Sequence, residues 1–506
     1  MRNLKEDREI LDKIDAEIIR LLEERMTIIK DVGLYKLNNN LNTEDKNRER
    51  EIIKKLENKI DGEFKDIVDP IYTSIFKESK KLSAKIKNEN FTYGLIGESL
   101  SHSKSKEIHE LLADYTYNLR DIKNNELDEF FNLKKFKGIN VTIPYKEVSM
   151  KYLDEIDELA KEIGAVNTIV NRNGRLIGYN TDYLGFNYSL NFYGIDLKDK
   201  KVLILGSGGA SKMLQKLLMD KGAKEFVVIS RSTENNYESI EKFADFEVII
   251  NATPIGMYPN NMECKVDLTK FNKLEDVIDL IYNPLKTKLI LDAEKLNIKT
   301  MSGLMMLVAQ AFFACELFLN KKLDESLIIK IYKKLKFDME NILLIGMPSC
   351  GKTSMGMMLA EKLKRDFYDT DDLIVKEEGK TIPEIFEEKG EAYFRDLESK
   401  ILKDLSKRNG IVIASGGGTP LREENRDYIL QNSLVVYLNR DLENLETYGR
   451  PLSKNLENLK KLYDERKEIY DGLAHIKIEV IEDKIKNLDL ILKEVERHED
   501  FSDQRT

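Results

Sequence analysis

The chain is 506 residues long, 42% hydrophobic and 34% charged, with a formal net charge of −9. That length implies several domains, and an acidic balance with no basic half excludes a general nucleic-acid binder. The cysteines (Cys264, Cys315, Cys350) and the four histidines are scattered without pair or metal-ligand spacing, and neither a signal-peptide core nor a run of membrane-spanning length is present. A cytoplasmic protein without membrane contact is expected.

Residues 6–37 read as one helix. Leu11, Ile14, Ile18, Leu21, Ile28 and Val32 recur in steps of three and four, with Arg25 inside the same stripe. A second helical stretch starts near Asp45, and a third spans about 64–83. Three helices enclose too small a core to stand alone, so a partner subunit is expected. Lys36 follows Arg25 on nearly the same face, about 16 Å along the axis. Cations inside an apolar seam are costly unless an anion meets them. The runs REILDKIDAEIIRLLEERMTIIKDVGLYK, DKNRERE and IFKESKKLS resemble the all-helical chorismate mutases across 5–87. The resemblance implies a chorismate site from Arg8, Arg25, Lys36, Asp45, Arg48, Glu49, Ser79 and Ser83. It also implies an intertwined homodimer, in which Arg8 reaches into the partner's site. Ser83 departs from the family, which places Gln or Glu there to engage the departing ether oxygen. Serine is too short for that contact.

KNEN at 87–90 is a polar break, after which the pattern changes. FTYGLIG, GINVTI, AVNTIV, KVLILG, EFVVIS and FEVIINA are short strand-like runs separated by helical patterns. That is the order of a mostly parallel sheet with helices on both faces. KVLILGSGGASKMLQKLL is a strand, a glycine turn and a helix, the layout of a dinucleotide-binding unit. EFVVIS ends in Arg231 and Ser232 where an acidic residue would grip a ribose hydroxyl, so NADP(H) is expected rather than NAD. YGLIGESLSHSKS, GINVTIPYK, GAVNTI, GYNTD, NATPIGM, IYNPLKT and GLMMLVAQA resemble shikimate dehydrogenase over 92 to about 320. The resemblance implies that Ser103, Ser105, Thr142, Asn167, Thr181 and Gln310 bind the substrate. Gly206, Gly208, Gly209, Ala210, Arg231, Thr253, Met257 and Gly303 would hold the cofactor. Lys146 and Asp182 match the catalytic pair: hydride reduction leaves charge on a ketone oxygen, which Lys146 would protonate while Asp182 orients it. Lys106 stands where the family has a proline.

LKFDMEN, 335–341, reads as a charged seam before a second α/β pattern through NILLIGM, IVIASGGG and SLVVYLNR. NILLIG runs into GMPSCGKTS and then a helix, matching G-x-x-x-x-G-K-[ST] in strand–loop–helix context. Backbone N–H groups from Gly346 to Ser354, including Ser349 and Gly351, would curl around phosphate oxygens of ATP. Lys352 adds charge, and Thr353 would ligate Mg²⁺. FYDTDDLIV, GEAYFRDLES, ASGGGTP, GRPL and an R-x-x-x-Y resemble shikimate kinase across 341–495. The resemblance implies Asp369 near the Mg²⁺ and Asp371 on the substrate hydroxyls. Arg395 and Arg466 would hold the substrate carboxylate, Gly416, Gly417 and Gly418 would lie under its ring, and Arg450 would be a lid arginine over the phosphates. The lid is shorter than the family's and lacks a second arginine. The tail after Glu496 reads as a disordered end.

The expected architecture is multidomain. An all-α domain (1–88) precedes a two-part α/β dehydrogenase (91–190 and 191–310, with C-terminal helices returning to 335) with a Rossmann-type NADP half. An α/β P-loop kinase (341–495) follows. The combined resemblance implies reduction of 3-dehydroshikimate, phosphorylation of shikimate and rearrangement of chorismate to prephenate. Two alternatives stay open: residues 1–88 as a dimerisation or effector-binding module, and a middle domain that also accepts quinate.

Overall fold

A computed structural model describes residues 3–38, 46–60, 62–89, 91–100, 103–231, 234–445 and 456–501. Asp45 and Arg450 lie outside the described residues. The chain forms two compact units, Met1–Thr181 with Ala311–Lys322, and Asp182–Gln310 with Leu323–Thr506.

In the first unit, α1 (Leu4–Asn38) and α2 (Lys46–Glu57) pack on α3 (Val68–Glu89). The third helix starts later than its apolar pattern suggested, because Gly62–Ile67 is a 3-10 turn. Phe64 and Ile67 point largely to solvent there, which leaves them outside the helix core. Val68 and Phe76 are buried, but Leu11 (56% exposed), Ile14 (49%), Ile18 (48%) and Leu21 (51%) are open on α1. The stripe that defines the helix is therefore mostly unburied within one chain.

The same unit carries a six-stranded sheet in the order β2-β1-β3-β5-β6-β4. Its strands are β1 (Tyr93–Gly97), β2 (Tyr117–Asp121), β3 (Gly138–Val141), β4 (Glu155–Ile156), β5 (Thr168–Arg172) and β6 (Arg175–Tyr179). β1 pairs in parallel with β2 and β3, whereas β5 runs antiparallel to β3 and β6. Asn173 and Gly174 make the β5–β6 turn with φ of 54° and 89°, the two left-handed positions that a tight hairpin requires.

The second unit holds two parallel five-stranded sheets. One comprises β7 (Lys201–Leu205), β8 (Glu225–Ile229), β9 (Val248–Asn251), β10 (Asp276–Asp279) and β11 (Lys299–Met301), ordered β11-β10-β9-β7-β8. The other comprises β12 (Asn341–Ile345), β13 (Phe367–Asp369), β14 (Val412–Ala414), β15 (Ser433–Asn439) and β16 (Ile476–Glu479), ordered β13-β14-β12-β15-β16. Continuous apolar strands such as β7 and β12 are buried, as parallel strands covered on both faces must be. Helix Ser326–Met339 covers most of the seam at 335–341, with Leu335 and Met339 buried, and is capped by Glu340, the residue before β12. Likewise helix Lys484–Phe501 extends past Glu496, anchored by buried Ile491 and Val495.

Polar contacts join the halves of this unit that carry the two sheets. Helix Lys288–Lys295 packs on helix Glu423–Gln431, with Lys295 and Lys288 on Asp427 at 2.6 and 3.3 Å. Gln431 donates to the Asn261 carbonyl at 3.0 Å, and its own carbonyl accepts from the Lys286 N–H at 3.0 Å. Tyr258 donates to the Ser406 carbonyl at 2.6 Å.

Candidate active sites

The phosphate loop lies between β12 and helix Lys352–Leu363. Its sharp path needs left-handed residues: Gly346, Ser349 and Gly351 have φ of 145°, 64° and 102°. At Gly346 a side chain is also excluded by space, since a Cβ would sit 2.5 Å from the Leu438 carbonyl oxygen. A Cβ on Gly351, at the N-cap of the helix, would meet nothing, so the loop's concave face is open where a helix N-terminus favours phosphate. Lys352 donates to the carbonyls of Gly346 and Met347 at 2.9 and 3.0 Å, which holds its ammonium across the loop. Thr353 donates to Asp369 at 2.6 Å. Asp369 caps the next helix through the Asp371 N–H, 2.9 Å away. The hydroxyl and carboxylate expected at the Mg²⁺ are therefore adjacent, a donor set that suits a hard cation sharing its ligands with phosphates.

The acceptor motifs converge although they lie far apart in the chain. A Cβ on Gly416 would come within 2.4 Å of Glu398 Oε1 and 2.8 Å of Asp371 Oδ1. One on Gly417 would lie 3.2 Å from Arg466 Nη1, and one on Gly418 would lie 2.1 Å from Arg395 Nη1. The polar ends of Asp371, Arg395, Glu398 and Arg466 therefore gather over the bare backbone of these three glycines. Arg395 pairs with buried Glu398, and with Glu391 at 3.0 Å. Burial works to lower the Arg395 pKa, but these two carboxylates prevail and raise it. Glu398 also accepts from Thr419 at 2.9 Å. Arg466 is 3% exposed, and its Nε has no hydrogen-bond partner among the described residues. A buried, unsatisfied guanidinium donor is costly, and a ligand carboxylate would relieve it. Sequence reasoning missed Glu398 and Thr419. The only available signal was the three-residue spacing of Arg395 and Glu398 on one helix face.

The dehydrogenase residues divide between the units. In the first, Ser103 donates to Ser105 at 3.1 Å. Asn167 binds Thr181 through both its amide groups, at 3.0 Å from Nδ2 and 2.6 Å from the Thr181 N–H. Thr168 links Thr181, at 2.9 Å, to Asn140, at 3.0 Å, and Tyr117 donates to Asn140 at 2.7 Å. Asn140 and Thr168 were not singled out in the sequence, where they read as strand residues. They are directly paired in register between β3 and β5, which builds a buried polar spine under Asn167 and Thr181. Lys146 is half-buried, and its carbonyl accepts from the Val166 N–H at 2.9 Å. The preceding Tyr145 is buried and donates to the Ile122 carbonyl at 2.6 Å. Thr142 is tied to β1 through the Ile96 carbonyl at 3.0 Å.

In the second unit, Gly206 ends β7 with φ 110°, and a Cβ there would lie 2.9 Å from Thr253 Cγ2. Gly208 is the N-cap of helix Gly209–Asp220, where an added Cβ would meet nothing. Ala210 lies in its first turn, so the glycine cradle is open towards a helix N-terminus and fits a pyrophosphate. Thr253 is held by Asn251, which accepts from its hydroxyl at 2.7 Å and its N–H at 3.0 Å. Asn251 in turn donates to buried Asp279 at 3.0 Å. Burial pushes the Asp279 carboxyl up to about 7. Arg231 is exposed in the turn after β8, and Met257 is also exposed. Gly303 lets the chain pass Leu280, whose carbonyl oxygen would be 2.1 Å from a Cβ. Asp182 is in the first turn of helix Thr181–Tyr193. Gly185 on that helix closes on Gln310, where a Cβ would lie 2.7 Å from the backbone nitrogen.

On the helical domain the structure brings together part of the expected set. Arg25 donates to Ser79 at 2.6 Å, and its guanidinium lies 5.6 Å from the Phe76 ring centre. Glu49 pairs with Lys80, a residue not singled out in the sequence, at 3.0 Å. These two residues and Phe76 line a pocket of about 420 Å³. Ser83 lies one turn beyond Ser79 and is partly exposed, and Lys36 is partly exposed near the end of α1. Arg8 and Arg48 face solvent, Arg48 against Glu51 at 3.0 Å.

Family models match four segments: chorismate mutase type II at 7–84, shikimate dehydrogenase substrate binding domain at 95–169, shikimate / quinate 5-dehydrogenase at 190–257, and shikimate kinase at 348–496. The chain is similar to the NADP(+) shikimate dehydrogenase of Clostridium perfringens (strain 13 / Type A), with 40% identity over 48% of this chain and 98% of that protein. A second relative, from Clostridium beijerinckii, is 40% identical over 47% of this chain and 96% of its own length. The chain belongs to the shikimate dehydrogenase family. It carries that module fused between mutase-type and shikimate-kinase-type modules. A crystallised chorismate mutase/shikimate 5-dehydrogenase fusion protein from Clostridium acetobutylicum is 37% identical, covering 49% of this chain and 98% of that one with a TM-score of 0.47. Among the described residues no helix is long and apolar enough to cross a membrane.

Proposed function

We propose that the chain catalyses three reactions of one pathway: reduction of 3-dehydroshikimate to shikimate, phosphorylation of shikimate, and rearrangement of chorismate to prephenate. The domains are assigned to 1–88, 91–335 and 341–495. The observation that carries the kinase assignment is the convergence of Asp371, Arg395 and Arg466 on Gly416–Gly418. Two guanidinium groups and a carboxylate around bare backbone suit a small ring bearing one carboxylate and several hydroxyls. When bound, ATP with Mg²⁺ supplies the phosphoryl group and NADPH the hydride. Lys352 and the loop N–H groups would hold the phosphates, and Thr353 and Asp369 would hold the metal. Asp371 would orient the acceptor hydroxyl, and by the resemblance Arg450 would contact the phosphates.

For the dehydrogenase, the family membership and the Asn167–Thr181 pair support a substrate-binding role for both residues. By the resemblance Lys146 would give a proton to the nascent alcohol oxygen, with Asp182 as the other member of the catalytic pair. Arg231 meets the 2′-phosphate of NADPH. In the helical domain, Arg25, Lys36 and Arg48 hold the dianion compact, with Arg8 supplied by a second copy. The exposed α1 stripe supports a homodimer through these helices. The three free cysteines suit the cytoplasm.

The test is to assay the purified chain for shikimate oxidation with NADP⁺ and NAD⁺, for ATP-dependent phosphorylation of shikimate, and for prephenate formation. Phosphorylation of some other small alcohol with none of shikimate would overturn the acceptor assignment. A preference for NAD⁺ would overturn the role of Arg231.

A further inference from the structure

The junction between the two parallel sheets of the second unit encloses a pocket of about 320 Å³ that none of the three reactions uses. Its apolar wall includes Tyr193, Leu304, Tyr332 and Leu430, with the two tyrosine hydroxyls 3.1 Å apart. Its charged wall includes Lys286, Glu294, Lys336 and Glu340, together with His475 and His498. Lys286, Glu294 and Leu304 come from the β7–β11 half, and Leu430, His475 and His498 from the kinase. Helix Ser326–Met339 and Glu340 lie between them.

The charges are arranged in an unusual way. Lys286 and Glu294 pair at 3.0 Å. Glu340 is partly exposed and lines the void. Among the described residues its carboxylate accepts no hydrogen bond, and burial raises its pKa against the pull of Lys336, Lys286 and Arg365. His475 also faces the void, and its Nδ1 accepts from the Val435 N–H at 3.0 Å. Burial, with Lys286, His498 and Lys336, pushes its pKa down to about 3. The ring is therefore neutral, with the proton on Nε2 available as a donor.

Two lysines thus face two glutamates, which does not favour a polyanion such as a nucleotide or phosphate. The charges would be costly around a purely apolar guest. The Glu340 carboxylate, which accepts no hydrogen bond among the described residues, suits an ammonium donor, and the side of the void with Lys336 and the His475 N–H suits a carboxylate. The aromatic and leucine wall suits an apolar side chain, and the volume lies at the lower end of small-molecule sites. We propose that this pocket binds a free α-amino acid with a large apolar side chain, its ammonium on Glu340 and its carboxylate near Lys336 and His475. Such a ligand bridges dehydrogenase and kinase, and so braces their junction.

The experiment is calorimetric titration of the full chain with L-phenylalanine, L-leucine, glycine and inorganic phosphate. Phenylalanine or leucine should saturate, with glycine and phosphate at least tenfold weaker. Glu340→Gln should weaken binding about tenfold, and Leu430→Trp, which fills the void, should abolish it. Both variants should keep shikimate oxidation and phosphorylation, which verifies their folding. The proposal is overturned if neither large amino acid saturates below about 10 mM. It is equally overturned if phosphate binds as tightly, or if binding survives both substitutions.

Discussion

The kinase acceptor site and the helical domain use the same kind of group, arginine for carboxylate, in opposite settings. Around Gly416–Gly418 the cations are placed by the chain itself: Arg395 is held by Glu398, Glu398 by Thr419, and Arg466 is buried. In the helical domain Arg25 of α1 is held by Ser79, while Arg8 on α1 and Arg48 on α2, the latter beside Glu51, face solvent and the apolar stripe is open. One site is preorganised within a single copy. The other has its pieces on a surface, which the proposed second copy would turn into an interior where electrostatic stabilisation is strong. The kinase should therefore be insensitive to oligomeric state and sensitive to single groups. The mutase should show the reverse.

Lys352→Ala gives the largest expected effect. It removes the mobile charge from the phosphate loop and should lower phosphorylation by about 10³-fold or more, since one charge-stabilising donor already accounts for about 10²- to 10³-fold. Shikimate oxidation should not change. Loss of both rates together would show that the modules are not independent, and the comparison would fail.

Next is the paired replacement Ile14→Glu with Ile18→Glu. These residues are half-exposed in one chain, so the change is tolerable in a monomer and repulsive in a helix dimer. Light scattering should report a monomer, and prephenate formation should fall by about 10²-fold as Arg8 leaves the partner's site. Kinase and dehydrogenase rates should persist. A dimer that survives the replacement would place the interface elsewhere.

Ser83→Gln sharpens the comparison from the other side. Glutamine one turn beyond Ser79 can reach the departing ether oxygen, and the gain in turnover should be up to about 10²-fold. Affinity for a bicyclic transition-state analogue should change less. If wild type already turns over at ordinary rates and the variant is slower, another group stabilises the breaking bond.

What the sequence made legible follows from how each site is built. The phosphate loop, the triple glycine and Arg395 sit in short contiguous motifs, so their chemistry was readable and the strands around them followed from apolar runs. Glu398 was not readable, because its partner Thr419 is distant in the chain and only folding joins them. Asn140 and Thr168 were hidden for the same reason, being cross-strand neighbours. The helix that ends at Met339 was obscured by the charges Lys336, Asp338 and Glu340, which look like a linker until Leu335 and Met339 are seen to be buried. Arg450 and Asp45 fall outside the described residues, so their proposed roles rest on the resemblance alone.

Arg231→Ala carries the smallest expected effect, and it shows why exposure matters as much as charge. Arg231 stands in the turn after β8, and its side chain is open to water. A guanidinium–phosphate contact in that setting is screened, unlike the buried Arg466 in the kinase. Its loss should raise KM for NADPH about three- to fivefold, the range expected of an exposed ion pair strengthened by a charge-assisted hydrogen bond. KM for NADH should stay nearly constant, because that cofactor has no 2′-phosphate to lose, and kcat should hold because Arg231 touches no reacting atom. Raising the salt concentration should shrink the difference between wild type and variant, since screening removes the same interaction that the substitution removes. An equal rise in KM for both cofactors would mean that Arg231 supports the fold of the turn. Steady-state kinetics with both cofactors at two ionic strengths separates these outcomes.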